Sequence, residues 1–436
     1  MRKIVTISLL IALFIALNGK PRPIAQTENK SFRPGGVLVK FKSGISRAEM
    51  EAALARHRLS VEREISPLSI KSLAVPPGQE LALAKRMKHN PYVEYAEPDY
   101  FITAALVPND SHWSNQWAPA KIRAPAAWEI TTGGEEITIA VLDTGVELNH
   151  PDLVAKIWTN PGEIPANGLD DEGNGKVDDV HGWHFYHVCS NSECLPLEDN
   201  ELQDDNGHGT HVAGIAAAET NNEAGIAGIS WGARLMPVKV LDEYGDGWYS
   251  DVIAGIVYAT DNRADIINLS LGGEESSEAL QDAVDYSYTH GVLLVAATGN
   301  TGGAVLYPAA CNRVLAVGAT NTNDQRPGFS NYGPEIDVAA PGVSILSTWP
   351  RPNGYWYKSG TSMAAPHVAG LAALIKSVRP ELTNERVAQA ITQTTLDLGP
   401  PGWDEFYGWG RIDAYRAVFS VTRFEVYVPL VLQVEH

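Results

Sequence analysis

Three cysteines in 436 residues are too few to staple a disulfide scaffold, so folding must rest on buried apolar surface. Basic side chains are also scarce, with 33 Lys and Arg against 52 Asp and Glu, a net charge of −19. That deficit excludes nucleic acid as a partner, because phosphate binding needs a positive footprint. No uncharged apolar run reaches the roughly 20 residues that span a bilayer as a helix. No repeat or low-complexity tract is visible, which excludes repeat architectures.

What is present describes a globular chain, 44% hydrophobic and 19% charged, long enough for two or three folded units. The charge is uneven: residues 1–103 carry +7 and residues 104–436 carry −26. A basic front on an acidic body predicts two parts with different roles.

Arg2 and Lys3 followed by the apolar run Ile4 to Leu17 predict a secretory signal within residues 1–25. Ala16, Asn18-Gly19 and Ala25 are the candidate cleavage positions, and the chain is expected to be exported, with no membrane association afterwards. Residues 31–103 predict a small α+β domain. Strands are expected at 36–41, 69–75 and 92–96 and helices at 46–58 and 79–88, the first opened by Ser46 with Glu49 as a capping box. From residue 120 apolar strands alternate with helices. Strands at 137–142, 235–241, 265–271, 292–297 and 314–319 and helices at 211–218, 250–261 and 277–290 predict an α/β fold. Its sheet would be doubly wound and mostly parallel, with helices on both faces. In such sheets chemistry belongs at the carboxyl ends of the strands.

Three segments supply it. Asp143 ends the first strand of the body. His208 lies in Asn206-Gly207-His208-Gly209-Thr210-His211, opening an apolar helix. Ser362 lies in Gly360-Thr361-Ser362-Met363-Ala364-Ala365-Pro366-His367. A serine hydroxyl becomes a nucleophile when an imidazole takes its proton, and the imidazole needs a carboxylate to fix its tautomer. At a helix start, free backbone N–H groups and the macrodipole favour developing negative charge. Pro366 suits the first helical turn, and Ala364, Ala365, Ala369 and Gly370 allow close packing on the sheet. Each segment alone has a plainer reading: a turn aspartate, a packed histidine, a helix-capping serine.

Together, in the order Asp, His, Ser, these segments resemble the subtilisin-like serine proteases, the subtilases, and their thermitase- and fervidolysin-like branch. That order is itself a known mark of the family. The resemblance runs from about Pro108 to Val418 and includes Gly408-Trp409-Gly410-Arg411-Ile412-Asp413. It implies a subtilisin-like catalytic domain over residues 104–418, a short tail over 419–436, and an N-terminal ferredoxin-like propeptide. It also implies that Asn300, in Thr298-Gly299-Asn300, donates its amide to the oxyanion beside the Ser362 N–H. Gly245 and Gly247, facing Ser270, Leu271, Gly272 and Gly273, would sandwich an extended peptide by strand addition. Leu306 would floor the primary specificity pocket and favour apolar or aromatic side chains.

Residues 161–182 place Asp170, Glu172, Asn174, Gly175 and Asp178 at positions 1, 3, 5, 6 and 9 of an EF-hand-type loop. That pattern suits Ca2+, although position 12 is His181 instead of Glu. The resemblance implies a second Ca2+ site at Asp110, Asp152 and Asn222. Cys189 and Cys194 either pair or remain thiols, and Cys311 is left over. His208 and His211 at i, i+3 raise zinc, but the sequence lacks the Glu of H-E-x-x-H. His150 and His367 are read as structural.

The expectation is therefore a secreted monomeric endopeptidase made as a zymogen, acting on polypeptides and inhibited by its own propeptide. The rivals are a silent calcium-binding scaffold and an N-terminal unit that inhibits other proteases. Neither explains why every triad member is present.

Overall fold

The computed structural model describes residues 32–100 and 106–422, apart from 58, 77, 191–192 and 351–353. The signal at 1–25, the stretch 101–105 and tail residues 423–436 lie outside the described residues. The chain divides into two units, residues 1–104 and 105–436.

In the first unit the order is β1 (Phe32–Phe41), α1 (Arg47–Ala55), β2 (Ser60–Ile65), β3 (Ile70–Ala74), α2 (Glu80–Lys88) and β4 (Val93–Tyr100). The antiparallel sheet runs β2-β3-β1-β4, the ferredoxin-like arrangement. Val37, Val39, Phe41 and Leu73 of the strands bury with Leu54, Leu83 and Met87 of the two helices. The Ser46–Glu49 capping box forms as read. β2 is an addition to the sequence reading. All six of its residues are exposed, so no alternation marks it as a strand.

The second unit opens with two short helices, α3 (Ala118–Lys121) and α4 (Ala124–Trp128), before β5 (Thr138–Asp143). A hairpin of β6 (Trp183–Ser190) and β7 (Glu193–Asp199) follows, then α5 (His208–Ala217), β8 (Arg234–Lys239), α6 (Tyr249–Asp261), β9 (Ile266–Leu269) and α7 (Glu278–Thr289). The remainder is β10 (Leu293–Ala297), β11 (Val314–Thr320), β12 (Val338–Pro341), the pair β13 (Ile345–Thr348) and β14 (Tyr355–Lys358), α8 (Thr361–Val378), α9 (Asn384–Thr392) and α10 (Ala414–Val421).

Eight strands form one sheet in the order β12-β11-β10-β9-β5-β8-β6-β7, parallel except for the β6–β7 hairpin at its edge. Side chains alternate across it, as the pleat requires. Ile139 and Val141 of β5 bury with residues of α4, α5, α8, α9 and α10. Ala140 and Leu142 bury with α6 and α7 on the opposite face. The two layers hold the strand ends rigid, and Asp143 stands at the carboxyl end of β5.

One local expectation changes. α8 begins at Thr361, so Pro366 lies in its second turn, inside the helix. Lacking an N–H, Pro366 cannot bond the carbonyl of Ser362 four residues back. That carbonyl instead accepts the Ser270 hydroxyl at 2.9 Å.

Candidate active site

His208 is the first residue of α5, and its Nδ1 meets Oδ1 of Asp143 at 2.7 Å. Asp143 is fully buried, and its Oδ1 also accepts the Thr144 N–H at 2.8 Å. Gly209 makes this approach possible. A Cβ there would fall 2.2 Å from the Gly145 carbonyl oxygen and 3.0 Å from Asp143 Cβ. A buried carboxylate on Nδ1 leaves Nε2 as the basic nitrogen of the neutral ring.

A residue that the sequence reading passed over organises this helix start. Asp204 is buried, and its Oδ1 accepts the Thr144 hydroxyl and the Asn206 and Gly207 N–H groups, at 2.8, 3.1 and 2.7 Å. Its Oδ2 takes the N–H and hydroxyl of Thr210 at 2.8 and 2.6 Å. Asp204 thus satisfies donors that the first turn of α5 leaves open and ties that turn to the residue after Asp143. The sequence offers only an aspartate four residues before the helix, and the donors it gathers come together only in the fold.

Ser362 is the second residue of α8 and 8% exposed. Its hydroxyl donates to the Ser270 carbonyl at 3.1 Å, while the Ser270 hydroxyl donates to the Ser362 carbonyl. The two serines are thus cross-bonded, and the Ser362 proton is directed at Ser270 instead of His208. Without substrate, catalytic hydrogen bonds are often long or poorly aligned and tighten only in the substrate complex. Asn268 Nδ2 donates to the Ser270 hydroxyl at 2.9 Å, carrying the link back to β9.

Asn300 follows β10. Its Oδ1 accepts the N–H of Thr361 at 2.8 Å and the Thr361 hydroxyl at 3.1 Å. Anchoring the oxygen on the start of α8 fixes the amide and leaves its NH2 as the outward donor. The Thr361 hydroxyl also accepts the Gly299 N–H.

The predicted cleft residues fall into two groups. Gly273 pairs with Tyr307 in both directions, at 2.8 and 2.9 Å, so its backbone is already used within the protein. Among the described residues, Leu271, Gly272 and Gly247 show no backbone–backbone hydrogen bond, whereas the Gly245 N–H bonds the Asp242 carbonyl. Leu306 packs tightly below: a Cβ on Gly272 or Gly299 would approach it to 3.0 or 2.8 Å.

The proposed metal ligands also divide. Asp110 and Asp152 are buried on the loop of residues 220–226. Asp110 accepts the Asn221 N–H at 2.9 Å; Asp152 accepts the Asn222 amide at 3.1 Å and the Ile226 N–H at 2.8 Å. Burial pushes both carboxyls above their ordinary range, and the charge of Asp152 adds to the rise at Asp110. Two buried carboxylates and an amide without a cationic side chain fit a hard cation. In the 161–182 loop, Asp170 and Asp178 both accept backbone N–H groups. Asp170 accepts the N–H groups of Gly173, Asn174 and Gly175, which hold it below its ordinary range. Asp178 accepts those of Asn167 and Gly168. Glu172 meets two residues outside the predicted set, Glu163 and Asp179, in a cluster that could hold a metal.

Cys189 and Cys194 form a disulfide across β6 and β7, and Cys311 is a buried thiol that burial raises to about 11. His211 Nε2 lies 3.1 and 3.0 Å from the Ile345 and Trp356 carbonyls, and burial lowers it to about 3. It is a packed neutral ring. His150 Nε2 bonds the Gly354 carbonyl at 2.7 Å and its Nδ1 accepts the Asp152 N–H.

Comparison with known proteins agrees with this geometry. The profile of the Subtilase family matches residues 134–410, and that of the fervidolysin N-terminal prodomain matches residues 18–99. A thermophilic serine proteinase of Bacillus sp. strain AK1 is 39% identical over 90% of this chain and 89% of its own. Thermitase of Thermoactinomyces vulgaris is 42% identical over 71% of this chain and 99% of its own. A solved protease of Pseudoalteromonas arctica superposes with a TM-score of 0.61 at 32% identity, covering 72% of this chain and 99% of that one. An aspartate–imidazole pair at a parallel sheet's carboxyl edge, a serine at a helix start and these relatives lead to one statement: the chain belongs to the subtilase family of serine endopeptidases and carries an N-terminal prodomain.

Proposed function

We propose that Asp143, His208 and Ser362 form the catalytic triad of a secreted, self-processing endopeptidase. The observation that carries this is the 2.7 Å bond from His208 Nδ1 to the buried Asp143. In the reaction, the Ser362 hydroxyl turns from the Ser270 carbonyl to His208 Nε2 and attacks the scissile carbonyl carbon. His208 takes the proton, and Asp143 stabilises the imidazolium without accepting it. The carbonyl π electrons move to oxygen, which the Asn300 NH2 and the Ser362 N–H receive. His208 then protonates the leaving amine as the C–N bond breaks, giving an ester on Ser362. His208 then takes a proton from water as its oxygen attacks the ester carbon, and returns it to the Ser362 oxygen as the acyl–oxygen bond breaks, releasing the acid.

Peptide substrates would lie extended between Gly247 and the Leu271–Gly272 segment, using backbone bonds that select little. Leu306 supports a preference for apolar or aromatic residues before the scissile bond, and a peptide series varied at that position tests it. The Asp110, Asp152 and Asn222 cluster is proposed to hold Ca2+, which would supply positive charge and bind the loop of residues 220–226 to the domain. Signal-like residues 1–25 support export, and among the described residues no helix is long and apolar enough to cross a membrane. The chain is proposed to act as a monomer on polypeptides, and the prodomain as its intramolecular inhibitor.

Labelling with a serine-directed phosphonylating or sulfonylating reagent tests the central claim. The adduct should map to the peptide containing Ser362, and inactivation should track labelling. Stoichiometric inactivation with the adduct on another residue would overturn it.

A further inference from the structure

We infer that the loop between Trp158 and Trp183 holds a divalent cation, Ca2+ by its chemistry, on Glu163, Glu172 and Asp179. Of these, an EF-hand spacing selects Glu172 alone; Glu163 and Asp179 lie outside it. One carboxylate oxygen from each lies within 4.8 Å of the others. Ca2+ takes oxygen ligands at about 2.3–2.6 Å, so two ligands on one ion stand up to about 5 Å apart. The cluster has that size.

An acidic cluster alone would not carry the inference; Glu163 does. It is only 7% exposed, and its Oε2 is buried with no hydrogen-bond partner, while Oε1 accepts the Asp171 N–H at 3.0 Å. An unpartnered buried carboxylate oxygen is costly unless something positive meets it. Asp179 is fully buried beside it, and burial together with Glu172 and Glu163 drives its carboxyl upward. The donors present are neutral. Asn160 Nδ2 reaches Glu172 and Asp179 at 2.9 and 3.1 Å, Asn174 Nδ2 reaches the same two, and the Tyr258 hydroxyl donates to Asp179 at 2.8 Å. The loop's single lysine, Lys176, is committed to Glu198 at 2.6 Å. Three carboxylates are thus gathered with no basic side chain to balance them, which is a cation site's electrostatics.

The donor set narrows the metal. All the ligands are oxygens, with no cysteine or histidine in the cluster, so soft and borderline ions are disfavoured. Mg2+ demands near-ideal octahedral geometry and keeps its waters, whereas Ca2+ tolerates an irregular site built partly from a loop. The bound ion would join the loop to α6 through Asp179 and Tyr258.

The spacing argument chose Asp170 and Asp178 because they stand at alternate positions. In the fold both accept backbone N–H groups of turns, three of them at Asp170, while Glu172 comes within reach of Glu163 and Asp179.

The test uses the full chain with Ser362→Ala, which cannot consume itself, and Tb3+ as the probe, displaced by Ca2+. Tyr258, hydrogen-bonded to a ligand, should sensitise Tb3+ emission. We expect saturable binding that Glu172→Gln weakens by about tenfold or more, since affinity follows the count of ligand charges. Asp170→Asn should bind as the parent does. Asp152→Asn should leave this component intact, which separates it from the ion proposed at Asp110 and Asp152. Glu172 is exposed, so its replacement does not threaten folding, and circular dichroism of each variant checks this. Calcium should also slow cleavage within residues 161–182 by an added protease in the parent and not in Glu172→Gln. Parent-like Tb3+ binding by Glu172→Gln, or an equal loss in Asp170→Asn, would overturn the assignment. The measurements require no catalysis, so they stand or fall apart from the triad.

Discussion

Ser270 and Ser362 carry more than their places in a motif suggest, because each hydroxyl donates to the other's carbonyl. Pro366 removes the helical donor to the Ser362 carbonyl, so Ser270 is what keeps that buried acceptor satisfied. Ser270→Ala should cost about 1–3 kcal/mol by leaving it unpaired, read as a lower midpoint in urea with kcat reduced as Ser362 loses its support. An unchanged midpoint would mean that water or another group substitutes. Asn300→Ala should lower kcat by about 10²–10³ with little change in KM, a magnitude carried over from subtilisin itself. Equal falls in binding and turnover would assign Asn300 to substrate holding instead. At this scale the sequence was most readable. Asp143, His208, Ser362 and Asn300 each sit in a short run with glycine or small neighbours that the geometry demands, as the 2.2 Å approach at Gly209 illustrates. Asp204 escaped notice because its work is done through five donors spread over residues 144–210, a pattern that exists only once the chain is folded.

Elements were readable where burial imposes a period and obscure where it does not. β5, β10 and β11 are buried throughout, so they read as continuous apolar runs. β2 and β7 are almost wholly exposed, and nothing in their composition distinguishes strand from loop. In the 161–182 loop spacing alone does not fix which carboxylates converge, because spacing rules assume a backbone path and turns set that path. α8 offers a prediction at this scale. His367 is 2% exposed on that helix, its Nδ1 2.8 Å from the Met363 carbonyl, and burial lowers it to about 4. An unfolded histidine takes up a proton below about pH 6.5, while this one stays neutral in the fold. The unfolded state therefore binds more protons between about pH 6.5 and 4, and stability falls as the pH drops through that window. At pH 5 the loss from His367 is about 2 kcal/mol. His367→Leu should flatten the acid limb of the stability curve between pH 7 and 5, with thermal unfolding of the Ser362→Ala chain as the measurement. A parallel curve displaced at every pH would show a packing effect without linkage.

Across the whole molecule, the −26 of residues 104–436 sets two expectations. Self-repulsion at that charge weakens a compact state, and bound Ca2+ opposes it. Chelation should lower the melting temperature and speed autolysis, and Asp152→Asn should blunt the response to added calcium; a melting curve indifferent to chelator would remove calcium from the account. The other expectation concerns the prodomain. Residues 31–103, without the signal, carry 11 basic and 8 acidic side chains, a net +3, and complementary charge speeds and registers association with an acidic partner. The fold of residues 32–100 is a sheet with its own apolar core, able to present a formed surface. Its last strand ends at Tyr100, and the uncharged residues Phe101 to Val107 follow it directly into the catalytic unit. A segment of that kind can add as a strand beside Gly247 and Gly272 and be cut as the first substrate. We therefore expect cleavage between Phe101 and Pro108, within one molecule, followed by inhibition by the released prodomain until it is digested. Wild type and Ser362→Ala, expressed side by side, separate self-processing from trimming by a host enzyme. Wild type should begin shortly before Asp110, and its rate of appearance should not depend on dilution; the variant should keep its prodomain. Cleavage of the variant at the same bond in a protease-free system would show that another enzyme makes the cut, and a dilution-dependent rate would show that one molecule processes the next.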